Sequence, residues 1–166
     1  MNNFTHLHVH TQFSLLDGAA KIPDLVSYAK ELGMTSLAIT DHGVMYGAVD
    51  FYQECKKQGI KPILGCEVYV TTGSHLERNN RGLFHLILLA ENLEGYHNIM
   101  KMVSLSQLEG FYYKPRVDKD ILRAHSKGVI CLSACIAGEL PVLIQQGNMD
   151  GARRCLEEHI EIFGKE

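Results

Sequence analysis

Residues 36–42 read Ser36-Leu37-Ala38-Ile39-Thr40-Asp41-His42, an apolar run that ends in two side chains able to bind a metal ion. Short unbroken apolar runs are typical of strands that are buried on both faces of a parallel sheet. Residues 83–90 form a second run of this kind, Leu-Phe-His-Leu-Ile-Leu-Leu-Ala. Helical patterns lie between such runs, so the sequence predicts an α/β fold with a parallel sheet.

The same alternation extends along the whole chain. Apolar and alternating patterns predict five strands, at residues 4–10, 36–40, 61–70, 83–90 and 128–133. Apolar residues at helical spacing predict helices at residues 22–32, 48–55, 92–107, 118–125, 139–146 and 149–163, with polar loops at 71–82 and 109–117. Since no Gly-x-Gly-x-x-Gly follows the first strand, a (β/α) barrel of the TIM-barrel type is favoured over a dinucleotide-binding fold.

The composition is that of one ordinary globular domain. The 166 residues are 46% hydrophobic and 21% charged, with a formal net charge of −3, so any contact with DNA must be local. The first six residues have neither the basic nor the apolar region that a signal peptide would show, and the longest apolar run, residues 86–90, is too short to cross a bilayer. We therefore expect a cytoplasmic protein without a membrane partner. Five cysteines without a Cys-x-x-Cys pair predict reduced thiols, and nine histidines against no tryptophan indicate metal ligands.

Three histidines alternate within residues 4–10. Side chains two residues apart on a strand share one face, so His6, His8 and His10 are predicted to point the same way. Because the active sites of parallel barrels lie at the C-terminal ends of the strands, we expect His8 and His10 at the site and His6 deeper, towards the floor of the barrel. The spacing lets two imidazoles reach one metal ion, which favours ligation over a polar strand with incidental histidines.

Two further polar groups end or interrupt predicted strands. Asp41 and His42 directly follow the strand at residues 36–40, although Asp41 could equally cap a helix. Glu67 lies inside the strand at residues 61–70, where a buried carboxylate is unfavourable unless it is paired or binds a cation. A single carboxylate in this position could bridge two metal ions.

Three weaker candidates are individually more typical of structure than of function. His85 within a strand is commonly a satisfied core histidine, Cys135 a small buried hydrophobe, and Asp17 a turn residue. Their positions relative to the predicted strands favour a common site with the stronger candidates. Histidine, carboxylate and thiolate ligands together suit Zn²⁺, with Mn²⁺ or Fe²⁺ as alternatives, and disfavour an all-oxygen Mg²⁺ site.

Six short motifs lie along nearly the whole chain, at residues 8–18, 37–43, 59–67, 85–90, 110–118 and 132–139. The first reads His-Val-His-Thr-Gln-Phe-Ser-Leu-Leu-Asp-Gly, and the second ends in Thr-Asp-His-Gly. In content and order they resemble the PHP (polymerase and histidinol phosphatase) domains at the head of bacterial replicative polymerases, the alpha subunits of DNA polymerase III. The resemblance is to this polymerase branch rather than to the histidinol phosphatases.

This resemblance implies a fold, a cofactor and a ligand set. The fold would be a distorted seven-stranded (β/α) PHP barrel with up to three metal ions, Zn²⁺ or Mn²⁺, at its mouth. Residues 1–166 would be its N-terminal portion, because the family's last Asp-x-His motif would fall beyond Glu166. Asp41 would contact the ligands without binding the metal itself. Asp41, His42 and Glu67 are expected to take part in catalysis. The implied ligands are His8, His10, Asp17, His42, Glu67, His85 and Cys135.

The implied function is metal-dependent phosphoester hydrolysis within a DNA-directed DNA polymerase of chromosomal replication, with 3′–5′ proofreading as the candidate reaction. DNA and replisome subunits would be the partners, and the missing motif would impair hydrolysis by residues 1–166. Arg81, Lys114 and Arg116 are candidate phosphate or nucleic-acid contacts, since residues 111–116 interleave aromatic and basic side chains; docking against another domain explains this loop equally well. The alternatives are a free-standing PHP phosphatase acting on a small phosphomonoester and a non-catalytic module of the polymerase.

Overall fold

The computed structural model describes residues 4–165 of the chain. Its helices are α1 (Ile22–Glu31), α2 (Ala48–Gln58), α3 (Leu93–Leu108), α4 (Lys119–Ala124), α5 (Glu139–Gln145) and α6 (Met149–Phe163). Its strands are β1 (Ser36–Ile39), β2 (Lys61–Thr71), β3 (Leu83–Ala90), β4 (Arg116–Val117) and β5 (Val129–Leu132). Helices and strands alternate except between β2 and β3 and between α5 and α6, so the predicted α/β class is confirmed.

The strands of the described chain form one open sheet in the order β1-β2-β3-β5, with β4 also paired to β2. β1 and β4 run parallel to β2, whereas β3 is antiparallel to β2 and β5 is antiparallel to β3. Tyr69 of β2 pairs with both Arg116 of β4 and His85 of β3, so β4 and β3 lie on opposite sides of β2. The C-terminal end of β2 therefore lies beside the N-terminal end of β3.

The predicted parallel sheet is thus wrong for β3, and no closed barrel forms within residues 4–165. The reason lies in the connection between β2 and β3. A parallel pair needs a crossover of a dozen or more residues, usually a helix, and residues 72–82 contain no helix. The chain instead returns along β2 in the opposite direction, which makes the sheet mixed.

Residues 4–10, which the sequence predicts to be a strand, form no regular ladder with β1. The amide of Ala38 donates to the carbonyl of His6 at 3.0 Å, and the amide of Thr40 donates to the carbonyl of Val9 at 2.9 Å. The amide of Val9 donates to Oγ1 of Thr40 at 2.8 Å, so a side chain replaces a backbone partner. The segment therefore follows β1 closely without becoming a strand.

Local sequence signals set the helix ends. Pro23 lies in the first turn of α1, where its missing amide has no helical partner to lose. Gly59 ends α2 with φ 78°, a left-handed conformation that favours glycine. Asn92, Asp118 and Asn148 cap α3, α4 and α6, each accepting a hydrogen bond from the backbone amide three residues further on. Each cap stabilises its helix by about 1 kcal/mol.

The core decides which face of β2 is available for a site. Cys66 and Val68 are buried in an apolar cluster with Ile99 and Met102 of α3. Because side chains alternate along a strand, Glu67 projects from the opposite face of the sheet. A second cluster joins α1 and α2 to β1. None of the helices in the described part of the chain is long and apolar enough to cross a membrane.

Candidate metal centre

Glu67 lies at the centre of a group of four histidines. Its side chain is only 1% exposed, and both carboxylate oxygens face imidazoles. Oε2 lies 3.0 Å from Nε2 of His8, 2.8 Å from Nε2 of His10 and 3.2 Å from Nδ1 of His42. Oε1 lies 2.5 Å from Nδ1 of His85. The structure therefore gathers most of the predicted ligands around one buried carboxylate.

The segment along β1 supplies two of these imidazoles. The hydrogen bonds between Val9 and Thr40 fix this segment, and the neighbouring residues His8 and His10 extend towards Glu67, with their Nε2 atoms 2.9 Å apart. His6 is exposed, and its ring meets Phe4 with the ring centroids 4.7 Å apart. His6 therefore lies apart from the cluster, but at the surface rather than deeper in the fold as the sequence predicts.

Asp41 holds the loop that carries Asp17. Asp41 is 1% exposed; its Oδ1 accepts hydrogen bonds from the amide of Thr11 at 2.6 Å and from Oγ of Ser14 at 2.7 Å, and its Oδ2 accepts one from Oγ1 of Thr11 at 2.8 Å. Oδ2 of Asp17 lies 3.0 Å from Nε2 of His42. The oxygens of Asp41 are thus turned to Thr11 and Ser14, and Asp41 acts on the cluster by positioning its neighbours.

His85 and Cys135 approach from the other side. Because β3 is antiparallel to β2, its first residues lie beside the last residues of β2, and His85 reaches Glu67 from there. The amide of His85 donates to the carbonyl of Ala137 at 3.0 Å, which draws the segment after β5 towards the cluster. Sγ of Cys135 lies 3.7 Å from Nδ1 of His85. Ala134 just before it has φ 62°, a strained conformation of the kind found at functional sites.

Three overlapping triads of ligand atoms, each within 4.8 Å of one another, result from this arrangement. They are His8–His10–Glu67, His10–Asp17–His42 and His42–Glu67–His85. Nδ1 of His42 and Oε1 of Glu67 are buried without a hydrogen-bond partner. The close approaches of Nδ1 to Oε2 of Glu67 and of Oε1 to His85 therefore lack the geometry of a hydrogen bond. Such orphaned atoms are rare, and a cation between the side chains would satisfy both.

The cluster shifts the pKa values of its members. Burial alone would raise the pKa of Glu67, but the neighbouring imidazoles of His10, His85 and His8 outweigh it and hold that pKa well below its usual range. The hydrogen bond to Glu67 raises the pKa of His10, whereas burial lowers the pKa of His42. An ionised carboxylate and a neutral imidazole, as at Glu67 and His42, are the forms that bind divalent metals.

The donor set fits the predicted metals. Imidazole nitrogens with the carboxylates of Glu67 and Asp17 suit Zn²⁺ and also Mn²⁺. The triads share His10, His42 and Glu67, so these three residues are candidate ligands of more than one triad. Cys135, by contrast, joins no triad within residues 4–165. Its contact with His85 leaves it as a candidate ligand at the edge of the cluster.

A loop before β4 covers one side of the cluster. Pro115 packs so closely on Gly43 that a Cβ there would lie 2.7 Å from its Cγ. The ring of Tyr69 stacks beside that of His42, with the centroids 5.9 Å apart. Nζ of Lys114 lies 5.2 Å from the centroid of the Tyr69 ring. Lys114 therefore brings a positive charge to the rim of the cluster.

The prediction that Arg116 contacts nucleic acid is wrong, because its side chain lies inside the protein. Arg116 is fully buried, and its guanidinium donates hydrogen bonds to four backbone carbonyls inside the protein. Since its N–H groups are used there, Arg116 holds the loop at residues 72–82 against the loop that carries Lys114. Arg81 remains exposed, with its guanidinium carbon 4.0 Å from the centroid of the Tyr113 ring. The carbonyls that Arg116 binds are those of Gly110, Asn80, His75 and Glu77.

Three residues of this site are absent from the sequence-based ligand set. Tyr69 follows Glu67 by two residues on β2, and the two-residue period of a strand indicates that both side chains share one face. Thr11 and Ser14 lie between the predicted ligands His10 and Asp17, but nothing in their sequence pattern indicates that they bind Asp41. Such contacts depend on tertiary packing.

Comparison with known proteins identifies a family and relatives. The family model described as PHP domain matches residues 6–166. DNA polymerase III subunit alpha of Borreliella burgdorferi is 48% identical over 169 residues, which cover 99% of this chain and 15% of that protein. The same subunit of Thermus aquaticus is 48% identical over 168 residues, covering 97% of this chain and 14% of that protein. This chain therefore spans only a small part of the length of these curated relatives.

Among solved structures, the crystal structure of a proposed metal-dependent phosphoesterase from Bifidobacterium adolescentis is similar to part of the chain. It shares 22% sequence identity at a TM-score of 0.48, and the match covers 64% of this chain and 34% of that one. A likeness of this size carries no conclusion about the site.

Proposed function

We propose that this chain, which belongs to the PHP domain family, is a metal-dependent phosphoesterase domain of a replicative DNA polymerase. The chain is homologous to the N-terminal PHP domain of DNA polymerase III alpha subunits. In such a protein, DNA-directed DNA synthesis would belong to other domains, and DNA and replisome subunits would be the partners. The open sheet would be part of a distorted (β/α) barrel, and this domain would hydrolyse phosphoesters, with the 3′ end of DNA as substrate.

The buried carboxylate of Glu67 among four histidines carries this proposal. A buried carboxylate is ordinarily compensated by an opposite charge and hydrogen bonds, whereas four imidazoles around one carboxylate are in addition a ligand set for a divalent cation. Nδ1 of His42 and Oε1 of Glu67, which are buried without a hydrogen-bond partner, also support this proposal, because a bound cation would satisfy both atoms.

The chemistry can be divided between the cofactor and the chain. Bound divalent metal ions would supply Lewis-acid stabilisation of the phosphoryl oxygens and ease proton loss from an attacking water. Glu67 would hold the metal together with His8, His10 and His85. Asp41 would keep Asp17 near His42 through its hydrogen bonds to the intervening loop.

Lys114 and Arg81 are the proposed phosphate contacts. Among the described residues neither has an ion-pair partner. Lys114 contacts the ring of Tyr69, which in turn stacks beside His42. Tyr113 beside them is 62% exposed and has φ 62°, so its ring is presented to solvent by a strained backbone. An exposed aromatic ring next to a cation suits stacking of a base and binding of its phosphate. This favours a nucleic-acid end over a small aliphatic phosphomonoester.

The metal site can be tested with two histidines of the same segment. We expect His8→Ala to lower metal affinity at least about tenfold, because its Nε2 lies against Glu67. Release of nucleotides from a 3′-labelled single-stranded DNA should fall with it. His6→Ala is the matched control, since His6 lies outside the cluster. Equal metal loss in both variants, measured by elemental analysis, would contradict the assignment. Full metal binding without any hydrolysis by a chain extended through the family's last Asp-x-His motif would favour the non-catalytic module.

The substrate class can be tested at the rim of the cluster. We expect Lys114→Gln to raise KM for the oligonucleotide about fivefold, and to weaken the salt dependence of binding, because one phosphate contact is lost. Lys101→Gln, on the exposed surface of α3, is the control. If the KM for DNA is unchanged in Lys114→Gln, the rim does not bind nucleic acid. Faster hydrolysis of p-nitrophenyl phosphate than of DNA would then favour a small-molecule phosphatase.

A further inference from the structure

A second group of metal-binding side chains lies outside the cluster around Glu67. Glu139 begins α5, and Cys155 and His159 lie one turn apart on α6. Their ligand atoms lie within 4.8 Å of one another. Sγ of Cys155 is 3.6 Å from Nδ1 of His159. This group shares no residue with the first cluster, and the proposed phosphoesterase reaction does not use it.

The imidazole of His159 is already oriented as a metal ligand. Its Nδ1 lies 2.7 Å from the carbonyl oxygen of Cys155, an atom that can only accept a hydrogen bond. Nδ1 must therefore carry the proton, and Nε2 presents its lone pair. Ligating histidines commonly hold their second nitrogen in this way, through a backbone carbonyl. Burial also lowers the pKa of His159, which favours the neutral ring.

A positive charge already occupies the point where these acceptors meet. Nζ of Lys119 lies 2.8 Å from Oε2 of Glu139, 3.5 Å from Oε2 of Glu158 and 3.4 Å from Nε2 of His159. Two carboxylates and an imidazole lone pair thus surround one ammonium group. The arrangement is a pocket for a cation, and the thiol of Cys155 lies beside it.

We propose that Glu139, Cys155 and His159 form a second metal site, which takes a thiophilic divalent cation such as Zn²⁺ in exchange for the ammonium of Lys119. Three protein ligands of these types leave a fourth position for water, as tetrahedral zinc sites allow. The thiol of Cys155 releases its proton to water on binding. Lys119 keeps Glu158 as its partner. A cavity of about 720 Å³ lined by Glu139 and His159 gives the ion access.

Cobalt is a suitable probe because a Co²⁺–thiolate bond produces a charge-transfer band in the near ultraviolet. The band should be recorded in the whole chain carrying Glu67→Gln and Cys135→Ser, which remove the shared carboxylate and the candidate thiol ligand of the first cluster. We expect a band that is lost in Cys155→Ser and weakened in His159→Asn. Cys55→Ser is the control, because Cys55 is also a buried helical cysteine but joins no group of candidate metal ligands among the described residues. A band that persists in Cys155→Ser, or no band at saturating Co²⁺, would overturn the proposal.

Lys119 provides a second measurement that does not depend on removing a ligand. Lys119→Met vacates the cation position, so Co²⁺ affinity should increase about fivefold, the scale of one partly exposed ion pair. A chain in which Lys119 merely joins α4 to α5 and α6 would lose stability without gaining metal. Unchanged or weaker Co²⁺ binding in Lys119→Met would therefore count against the site, independently of whether the first cluster hydrolyses phosphoesters.

Discussion

Two buried acidic side chains keep their negative charge because histidines face them. Glu67 is the first, and Asp118 is the second. Oδ2 of Asp118 accepts hydrogen bonds from the amide of His75 at 2.9 Å and from its Nδ1 at 2.6 Å, while Oδ1 accepts one from the amide of Ile121 at 3.0 Å. Burial would raise the pKa of Asp118, but these hydrogen bonds outweigh it and lower the pKa. Asp118 thus fixes the loop at residues 72–82 to the start of α4.

This carboxylate should make stability depend on pH. Its folded-state pKa lies below the ordinary value of 3.8, so its contribution is complete above that value and is lost as the pH falls through the folded-state pKa. We expect Asp118→Asn to lower the free energy of unfolding by about 1–3 kcal/mol at neutral pH. The difference from the unmodified chain should shrink in acid, as followed by urea unfolding. Asp120→Asn, whose side chain is 93% exposed, should change stability by less than about 0.5 kcal/mol. A pH-independent loss in Asp118→Asn would rule out this role for the charge.

At the scale of helices and strands, the sequence predicts what local patterns can encode. The helix at residues 149–163 is confirmed, because Asn148 caps its start and Gly164 follows its end. β2 and β3 lie where the apolar runs predict them. The helix has a periodic apolar pattern with residues that mark its ends, and the two strands have apolar runs long enough to be recognised. Of the candidate site, His8, His10, His42 and Glu67 lie together, as their positions along the predicted strands indicate. His85 joins them only because β3 is antiparallel to β2, which the sequence does not predict.

What the sequence does not predict depends on contacts between distant residues. A run buried on both faces, such as β3, has the same pattern whichever way the strand runs. β4 has two residues, Arg116 and Val117, too few for any periodicity. Residues 4–10 alternate as a strand would, but the side chain of Thr40 takes the place of a backbone partner. In the sequence, Arg116 lies among aromatic and basic residues that suggest a surface contact. Its burial and its four carbonyl partners become visible only in the folded chain.

For the whole molecule, the cluster around Glu67 would act as a cross-link when it binds metal. It joins the segment along β1 to β2 and β3 through His8, His42, Glu67 and His85. These residues lie far apart in the chain, so an ion bound by all of them binds the folded state and not the unfolded one. Ligand binding of this kind stabilises the fold in proportion to the logarithm of the ligand concentration.

Metal removal should therefore lower the melting temperature. At a Mn²⁺ concentration of about one hundred times Kd, binding adds about 2.7 kcal/mol, which for a domain of this size corresponds to roughly 5–10 °C in Tm. We expect excess EDTA to abolish that increase, as measured by differential scanning calorimetry. Mn²⁺ is chosen because it has little affinity for thiolate sites. Glu67→Gln should melt at the same temperature with and without Mn²⁺. An equal Mn²⁺ response in that variant would show that the stabilising ion binds elsewhere.

The mixed sheet links the position of a ligand in the chain to the direction of its strand. His85 lies near the start of β3 and Cys135 follows the end of β5, yet the two side chains are in contact at one end of the sheet. A ligand residue at the start of an apolar run therefore indicates that the N-terminal end of the strand lies at the site. A ligand residue after the run indicates that the C-terminal end lies there. β1, which is followed by Asp41 and His42, arrives by the same rule. Strand orientation in such a domain can thus be inferred from a few histidines and acids, before any pairing is known.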